Sequence, residues 1–343
     1  MTGTPPDPSK IMQIGMGFLA SKTLLSAVEL GVFAALGPAP LNGSDLRRKL
    51  GLHERAAADF LDALVALGCL DRAGDGPDAL YANTSDTAAF LDPASPSYLG
   101  GILKMANNRL YHHWANLTEG LRTGQPQNET KGQVSNDQFA ALYADPALLA
   151  GFLDAMAGVQ LGNFRALAER FDFARFATVC DVGGASGALS IAIARRHPDI
   201  RCISYDLPPV TPLARSKIEA AGLAHRIEAR SGNFLTDDLP RADVITMGNV
   251  LHDWGTATKE SLIAKAHAAL PEGGAFIAIE NIIDDARREN AFGLLMSLNM
   301  LIETPEGYDY SFAQFNAWCA KAGFRATEKI PLRGPASAAV AWK

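Results

Sequence analysis

A glycine-rich stretch in the middle of the chain has the composition of a nucleotide-binding turn. Asp181-Val-Gly-Gly-Ala-Ser-Gly187 follows a short apolar run, 176–180, and precedes residues 188–196, which are typical of a helix. A strand that passes through glycines into a helix brings backbone N–H groups close to a ligand, because glycine has no Cβ to block the approach. We therefore expect Gly183 and Gly187 to line a nucleotide-type pocket.

Polar and aromatic residues follow the next two predicted strands. Asp206 lies 19 residues after Gly187, a spacing at which an acid can accept the hydroxyls of a ribose. Gly232, Asn233 and Phe234 come after the third strand, and an amide beside an aromatic ring suits the edge and face of adenine. Because ligands bind beyond the carboxyl ends of parallel strands, we expect these residues to share one pocket.

The fourth and fifth predicted strands lead into titratable side chains. Asn249 precedes the run Val250-Leu-His-Asp-Trp254, and Glu280 ends the fifth strand. A histidine placed there can take a proton near neutral pH, because its ordinary pKa is about 6.5. One adenosine-type ligand and one titratable cluster are therefore expected at the same edge of one sheet.

The glycine pattern and the acid beside it favour S-adenosylmethionine (SAM) over a nicotinamide cofactor. The nicotinamide fingerprint is Gly-x-Gly-x-x-Gly, and its second and third glycines are replaced here by Ala185 and Ala188. Asp181 would repel a pyrophosphate, but it suits the cationic amino group and sulfonium of SAM. The predicted cofactor is SAM, and the predicted reaction is methyl transfer.

The elements that position these residues alternate between strand and helix after residue 176. Strands are predicted at 178–182, 202–206, 227–230, 244–247, 275–280, 325–330 and 338–341. Such alternation is typical of an α/β fold with a parallel doubly wound sheet. Residues 41–83 instead show two short helices and a hairpin, which is a winged-helix pattern.

The N-terminal stretch 10–36 is predicted to be helical and apolar on nearly every side. A helix of that kind must be buried all round, so we expect it to pack against a second subunit in a homodimer. DNA binding is not expected of the winged-helix pattern. Its second helix begins with residues 53–59, which include three alanines and two acids instead of a row of basic or amide side chains.

Length and composition place the chain among soluble globular proteins. Its 343 residues predict two domains, and a net charge of −6 argues against nucleic acid as a partner. We find no run of roughly 18 uninterrupted apolar residues and no signal peptide, so neither a membrane partner nor export is expected and the predicted location is cytoplasmic. The four cysteines are scattered, which predicts neither a disulfide scaffold nor a metal site.

Together these motifs resemble the SAM-dependent O-methyltransferases of the caffeate and hydroxyindole (acetylserotonin) type. The resemblance covers essentially the whole chain and is carried by 181–187, 206–208, 232–234, 250–254, 297–300 and 27–33. It implies a Rossmann-like SAM-dependent methyltransferase domain at 104–343, with substrate-covering helices at 104–172. It also implies an N-terminal, mainly helical, winged-helix-like dimerisation domain at 1–103. The acceptor would be a hydroxyl of a small aromatic or polyketide-like metabolite, and S-adenosylhomocysteine (SAH) the second product.

The resemblance also assigns roles to individual residues. His252 would be the general base, flanked by Glu280 and Asp309. The implied cofactor-binding residues are Asp181, Gly183, Gly187, Asp206, Leu207, Gly232, Asn233, Phe234 and Asn249. The implied substrate-binding residues are Met105, His113, Phe152, Met156, Asn299 and Met300. No metal is implied.

Three places depart from the family pattern, the smallest change being Ala185 in place of the third turn glycine. Asn233 stands where the family usually has Asp, and Asp309-Tyr310-Ser311 stands where it has Glu-Arg-Thr, so the second acid is shorter by one methylene. Two alternatives stay open from the sequence. One is C- or N-methylation by the same fold, and the other is a ligand-sensing winged-helix regulator, against which the lack of a basic recognition face argues.

Overall fold

The protein consists of two compact units, Met1–His112 and His113–Lys343. The computed structural model describes residues 6–129, 131, 143 and 145–343. The division follows residue 112, whereas the sequence places it after residue 103. Part of the predicted substrate-covering region 104–172 lies outside the described residues.

Helices make up most of the first unit. They are α1 Ser9–Gly15, α2 Gly17–Leu30, α3 Val32–Leu36, α4 Gly43–Leu50, α5 Glu54–Ala66, α6 Ser85–Phe90 and α7 Gly100–Met105. A π-helical turn, Ala106–Leu110, leads from α7 into α8, Tyr111–Trp114, where the division between the units falls. The strands β1 Leu41–Asn42, β2 Leu70–Ala73 and β3 Leu80–Asn83 form an antiparallel sheet of order β1-β3-β2.

Local signals explain where α4 and α5 begin and end. The Asn42 side chain accepts the N–H of Asp45 at the start of α4, and Gly51, with φ of 66°, ends that helix in the left-handed conformation. His53 Nδ1 accepts the N–H of Arg55 at the start of α5. Both helices and the hairpin of β2 and β3 therefore lie where the sequence predicts them.

The N-terminal helices carry exposed apolar side chains. Ile11 and Ile14 are 74% and 73% exposed, and Phe18 and Leu19 are 52% and 53% exposed. Apolar surface of this extent marks a contact with another surface. By length and composition alone, Ser9–Leu30 is also apolar enough to cross a membrane, which differs from the expectation that no segment would be.

The second unit is a seven-stranded sheet covered by helices. Its helices are α9 Leu117–Thr123, α10 Pro146–Arg170, α11 Ala188–Arg196, α12 Thr211–Ala220, α13 Thr256–Ala269, α14 Ala291–Glu303 and α15 Phe312–Ala322. Its strands are β4 Thr178–Val182, β5 Arg201–Asp206, β6 Ile227–Ser231, β7 Val244–Gly248, β8 Ala275–Glu280, β9 Ala326–Pro331 and β10 Ser337–Trp342. The sheet order is β6-β5-β4-β7-β8-β10-β9.

The prediction of a wholly parallel sheet is wrong at one edge. The strands β6, β5, β4, β7 and β8 pair in parallel, but β10 is antiparallel to both β8 and β9. A short turn, closed by the N–H of Leu332 on the carbonyl of Ala336, joins β9 to β10. So short a connection forms a hairpin, whereas a parallel pair needs a crossover of a dozen residues or more.

The direction in which strands are added to the sheet changes at β4. The chain moves outward from β4 to β5 and β6, and then returns to β7 on the other side. At such a switch point the loops after neighbouring strands diverge and leave a crevice beyond their carboxyl ends. The predicted site residues that follow β4, β5 and β7 all leave the sheet at this edge.

Asp243 joins the two central strands at the opposite edge. Its Oδ2 accepts the N–H of Ala177 at 3.0 Å and both the N–H and the Oγ1–H of Thr178 at 2.9 Å. The Thr178 Oγ1 in turn accepts the N–H of Asp243 at 2.9 Å. These bonds fix the starts of β4 and β7 relative to each other, and thus the register in which their site-bearing ends emerge.

We predict that Asp243→Ala lowers the free energy of unfolding of the second unit by about 2–4 kcal/mol, because two backbone N–H groups and a hydroxyl lose a charged acceptor. Urea denaturation would measure the change. Asp238→Ala, an exposed carboxylate in the preceding loop, serves as the control and should change stability by less than about 0.5 kcal/mol. Equal effects of the two substitutions would contradict the role given to Asp243.

Candidate active site

The glycine turn packs tightly against its neighbours. The N–H groups of Gly183 and Gly184 both donate to the carbonyl of Tyr205, at 2.9 and 3.2 Å, which draws the turn towards the end of β5. Gly183 has φ of 69°, and a Cβ on it would lie 2.6 Å from Cγ2 of Val250. Only glycine fits this position, since a side chain would clash with the segment that leads to His252.

Ala185 adopts a conformation that the sequence did not predict. Its φ is 48°, in the left-handed region, which costs a residue with a Cβ about 1–2 kcal/mol. Its N–H donates to Asp206 Oδ2 at 2.8 Å, while Asp206 Oδ1 accepts the N–H of Leu207 at 2.7 Å. The Asp206 carboxylate therefore holds the turn in place, and burial raises its pKa to about 6.

Asp181, at the end of β4, is a second buried acid. Its Oδ1 accepts the hydroxyl proton of Thr246 at 2.8 Å, and the residue is only 3% exposed. Burial raises the pKa of this carboxyl to about 7, against the opposing effect of the Thr246 hydrogen bond. A cation placed beside Asp181 would favour its ionised form.

The loop after β6 is shaped by close packing on β5. A Cβ on Gly232 would lie 2.1 Å from the Tyr205 hydroxyl. The Asn233 side chain accepts the N–H of Leu235 at 3.0 Å, so its oxygen already supports the loop in which we expected it to meet adenine. Phe234 lies edge-on to Trp254, with ring centroids 6.2 Å apart. This pair links the loop to the turn that carries His252.

Asn249 is held by polar side chains that sequence reasoning did not identify. Its backbone is left-handed, with φ of 53°, a conformation that asparagine tolerates better than most residues. Its Oδ1 accepts Gln160 Nε2 at 3.1 Å, and Gln160 Oε1 accepts Asn163 Nδ2 at 2.9 Å. Gln160 lies 89 residues before Asn249, so no local pattern pointed to it.

His252 lies at the centre of a buried acidic cluster. It occupies the 3₁₀ turn Leu251–Asp253 and is 5% exposed. Its Nδ1 is 3.5 Å from Glu280 Oε2 and 3.4 Å from Asp309 Oδ1, while its Nε2 is 3.5 Å from Asp253 Oδ1. The backbone N–H of His252 also donates to Glu280 Oε1 at 3.3 Å. The structure thus brings the three residues expected to be catalytic together and adds Asp253.

The cluster changes the proton affinity of its members. Burial lowers the pKa of His252, but the charges of Glu280, Asp253 and Asp309 outweigh it and raise that pKa to about 10. Burial raises the pKa of Glu280 above its ordinary value and that of Asp253 to about 6, although the His252 charge opposes both shifts. The imidazole is therefore protonated at neutral pH in the free protein.

The shorter acid at position 309 still reaches the histidine. Its segment is fixed beside the end of β8, because the N–H of Ile283 donates to the carbonyl of Tyr310 at 3.0 Å. The N–H of Asp309 donates to Ser297 Oγ at 3.2 Å, and the residue is 1% exposed. Asp309 Oδ1 thus lies 3.4 Å from His252 Nδ1 although the side chain is one methylene shorter than that of glutamate.

The residues expected to bind substrate are distributed over several elements. Asn299 Oδ1 accepts Trp114 Nε1 at 2.8 Å, and Met300 beside it is 5% exposed. Phe152 packs in a cluster with Ala185 and Leu207, so it lies near the glycine turn. His113 Nε2 lies 3.2 Å from Glu129 Oε1. Met156 is half-buried in α10, and Met105 ends α7 in the first unit.

Two family models match the chain. The O-methyltransferase domain matches residues 114–325, which is more than half of the chain, and the O-methyltransferase dimerisation domain matches residues 12–93. The O-methyltransferase match lies within the second unit, and the dimerisation match lies within the first unit.

Known proteins agree with this assignment. The chain is 40% identical to the tetracenomycin polyketide synthesis 8-O-methyl transferase TcmO of Streptomyces glaucescens, over 98% of this chain and 97% of that protein. It is 32% identical to the N,N-dimethyltransferase OxyT of Streptomyces rimosus, over 95% and 94% of the two chains. The crystal structure of human N-acetylserotonin methyltransferase in complex with SAM is similar with a TM-score of 0.91 and 29% identity, covering 100% of this chain and 99% of that one. The chain therefore belongs to the SAM-dependent O-methyltransferases of the caffeate and hydroxyindole type and is an enzyme that uses SAM as its methyl donor.

Proposed function

We propose that the enzyme methylates a phenolic hydroxyl of an aromatic, polyketide-like metabolite, with His252 as the general base. One observation carries the proposal: a buried imidazole with two carboxylates within 3.5 Å of its Nδ1. The 40% identity to a polyketide 8-O-methyl transferase supports the substrate class.

The two nitrogens of His252 take different parts in the proposed reaction. Glu280 and Asp309 both face Nδ1 and hold a proton there, so Nε2 is the atom that exchanges a proton with the substrate. Asp253, 3.5 Å from Nε2, stabilises that proton once His252 has taken it. The hydroxyl proton of the acceptor thus moves to Nε2 while its oxygen forms the new bond to the methyl carbon.

The raised pKa suits a phenol. A phenol has a pKa of about 10, close to that of His252, so the proton is shared between the two at little cost. At neutral pH the resting pair is a phenol with a protonated imidazole. The reactive pair has one proton fewer and can be written either as phenol with imidazole or as phenolate with imidazolium. The proposed reaction therefore speeds up as the pH rises towards the pKa of His252.

The residues at the switch point fit SAM. Asp181 is a buried acid whose pKa is raised by burial, and a cationic amino group beside it would lower that pKa. Asp206, Leu207 and the loop 232–234 would hold the adenosine part. SAM supplies the methyl group as an electrophile and leaves as SAH. The chain's own contribution is to align the acceptor oxygen with that methyl group and to exclude water.

The same side chains could hold a metal ion by spacing alone. His252, Glu280 and Asp309 bring ligand atoms within 4.8 Å of one another. Our proposal assigns a proton to this cluster, held between His252 and the acids that face it.

The acceptor would lie against residues near His252. Asn299 uses its oxygen on Trp114, so its amide NH₂ remains the group that can donate to an oxygen of the substrate. Met300 and Met156 supply polarisable walls for a flat ring. We keep Met105, His113 and Phe152 as further contacts of the substrate.

N-methylation is the second candidate function, and the 32% identity to an N,N-dimethyltransferase favours it. Phenolic and amine acceptors of matched aromatic skeleton, incubated with labelled SAM, separate the two. NMR of the product locates the methyl group on oxygen or on nitrogen. Turnover of the amine alone would overturn the proposed O-methylation.

We further propose a cytoplasmic homodimer. The dimerisation-domain match spans residues 12–93, and the exposed apolar side chains of α1 and α2 lie at its start. A second copy of the chain would cover them, which accounts for apolar side chains on all faces of these helices. Burial in a dimer would also explain why the stretch Ser9–Leu30 is apolar without requiring a membrane.

We predict that His252→Ala lowers kcat on the order of 10²–10⁴-fold, as expected for loss of a general base. SAH affinity, measured by isothermal titration calorimetry, should change less than about twofold, because His252 is not among the residues expected to bind the cofactor. Full turnover in this variant would refute the base role, and equal losses of SAH binding and turnover would point to a structural role.

A second prediction concerns pH. The wild-type kcat/KM should rise with pH towards an inflection near the His252 pKa of about 10. Glu280→Gln removes the leading charge that raises this pKa, so its inflection should move to lower pH with the same substrate. Glu272→Gln, an exposed acid on the loop before β8, is the control and should leave the inflection unchanged. Coincident profiles for all three proteins would contradict the assignment.

A third prediction tests the dimer. The double substitution Ile11→Glu and Ile14→Glu puts charges on the exposed apolar surface and should shift the mass found by light scattering from twice 36.5 kDa to 36.5 kDa. Leu121→Glu, on an exposed apolar residue of the second unit, should leave the dimer intact. A wild-type protein of 36.5 kDa would contradict the proposal.

A further inference from the structure

The chemistry proposed above leaves a buried lysine unexplained. Lys259, in the first turn of α13, is fully buried, with 0% of its surface exposed. An ammonium group loses much of its hydration when buried, so it needs acceptors or opposite charges around it. The groups that contact Lys259 Nζ indicate the role of this residue.

The ammonium group contacts the turn that carries the base. Lys259 Nζ donates a hydrogen bond to the carbonyl of Trp254, the residue that follows the turn Leu251–Asp253. Trp254 is two residues from His252, so the bond ties α13 to the end of that turn. Movement of the Trp254 carbonyl would move His252 and Asp253 with it.

The same ammonium contacts the segment that carries the second acid. It lies 3.5 Å from the centroid of the Tyr308 ring and 5.8 Å from that of Tyr310. These two rings flank Asp309 in the chain, and a cation over an aromatic face is attracted by the ring. The segment is also packed hard against the turn, since a Cβ on Gly307 would lie 2.6 Å from the carbonyl oxygen of His252.

Charge gives a second reason for a cation here. Three carboxylates, those of Asp253, Glu280 and Asp309, surround a single imidazole. All three interact with Lys259, which offsets part of their charge, and Glu303 is a further acid that raises the pKa of Asp253. Burial lowers the pKa of Lys259 to about 8, so it is mainly protonated at neutral pH.

We propose that Lys259 is a positioning residue for the base: its ammonium group joins the His252 turn to the Asp309 segment and places a positive charge among the three acids around the imidazole. The proposal rests on the base role of His252 for its catalytic consequence. Its electrostatic consequence does not depend on that role, because Lys259 favours the carboxylate form of Asp253 whether or not His252 moves a proton.

The test compares Lys259→Met and Lys259→Arg with wild type, with the exposed Lys321→Met as the control for loss of a charge. In Lys259→Met, kcat should fall on the order of a hundredfold through misplacement of the base, while SAH affinity stays within about twofold by calorimetry. The pH midpoint of the Asp253 carboxyl, followed by ¹³C NMR and assigned with Asp253→Asn, should rise by about one unit. Lys259→Arg should keep the wild-type midpoint, and so should Lys321→Met.

The outcomes separate this inference from the proposed function. A Lys259→Met protein with an unchanged Asp253 midpoint overturns the role of the charge, and one with unchanged kcat overturns the positioning role. A shifted midpoint together with full turnover of His252→Ala would support the electrostatic role and refute the base. If Lys259→Met does not fold, Lys259→Arg decides: a folded protein with the wild-type midpoint supports the inference, and an unfolded or shifted one contradicts it.

Discussion

The structure of the second unit depends on keeping one imidazole among two buried carboxylates, Glu280 and Asp309, and the half-buried carboxylate of Asp253. Isolated, each of these charges would cost several kcal/mol to remove from water. Grouped around His252, they stabilise its protonated form and raise its pKa to about 10. The cluster must be assembled from three separate segments of chain, so the end of β8, the 3₁₀ turn and the segment at 309 have to meet closely. The close packing of the backbone around the cluster keeps these segments in place.

Two glycines allow the backbone segments around His252 to pack closely. The glycine turn abuts Val250, and Gly307 abuts the carbonyl of His252, so both approaches exclude a Cβ. Ala185 keeps a strained φ of 48° because the Asp206 carboxylate holds its N–H. The glycine turn and the segment that leads to His252 are thus in direct contact. Donor and acceptor can be aligned by a rigid frame instead of by the ligands themselves, which is what a displacement reaction chiefly requires.

The sequence predicts most of the frame and the chemical centre but few of the supports. His252 and Glu280 follow strands, so the rule that ligands sit beyond carboxyl ends finds them, and Asp309 comes from the family resemblance. The antiparallel pairing of β9 with β10 could have been predicted, because the seven residues between the predicted strands 325–330 and 338–341 are too few for a parallel crossover. The roles of Gln160 and Lys259 could not be predicted, because their partners are distant in sequence. Gln160 contacts Asn249, 89 residues away, and Lys259 contacts the Tyr308 ring.

The raised pKa of His252 also explains how one fold serves different acceptor atoms. A phenol and a protonated amine both have pKa values of about 10, so a base of that strength is matched to either. The relatives TcmO and OxyT, an 8-O-methyl transferase and an N,N-dimethyltransferase, lie at 40% and 32% identity to this chain. Under the proposed mechanism, the proton affinity of His252 alone does not distinguish the two kinds of acceptor. The distinction would then come from the residues that place the acceptor atom in line with the methyl group, for which Asn299 and Met300 are candidates expected from the sequence.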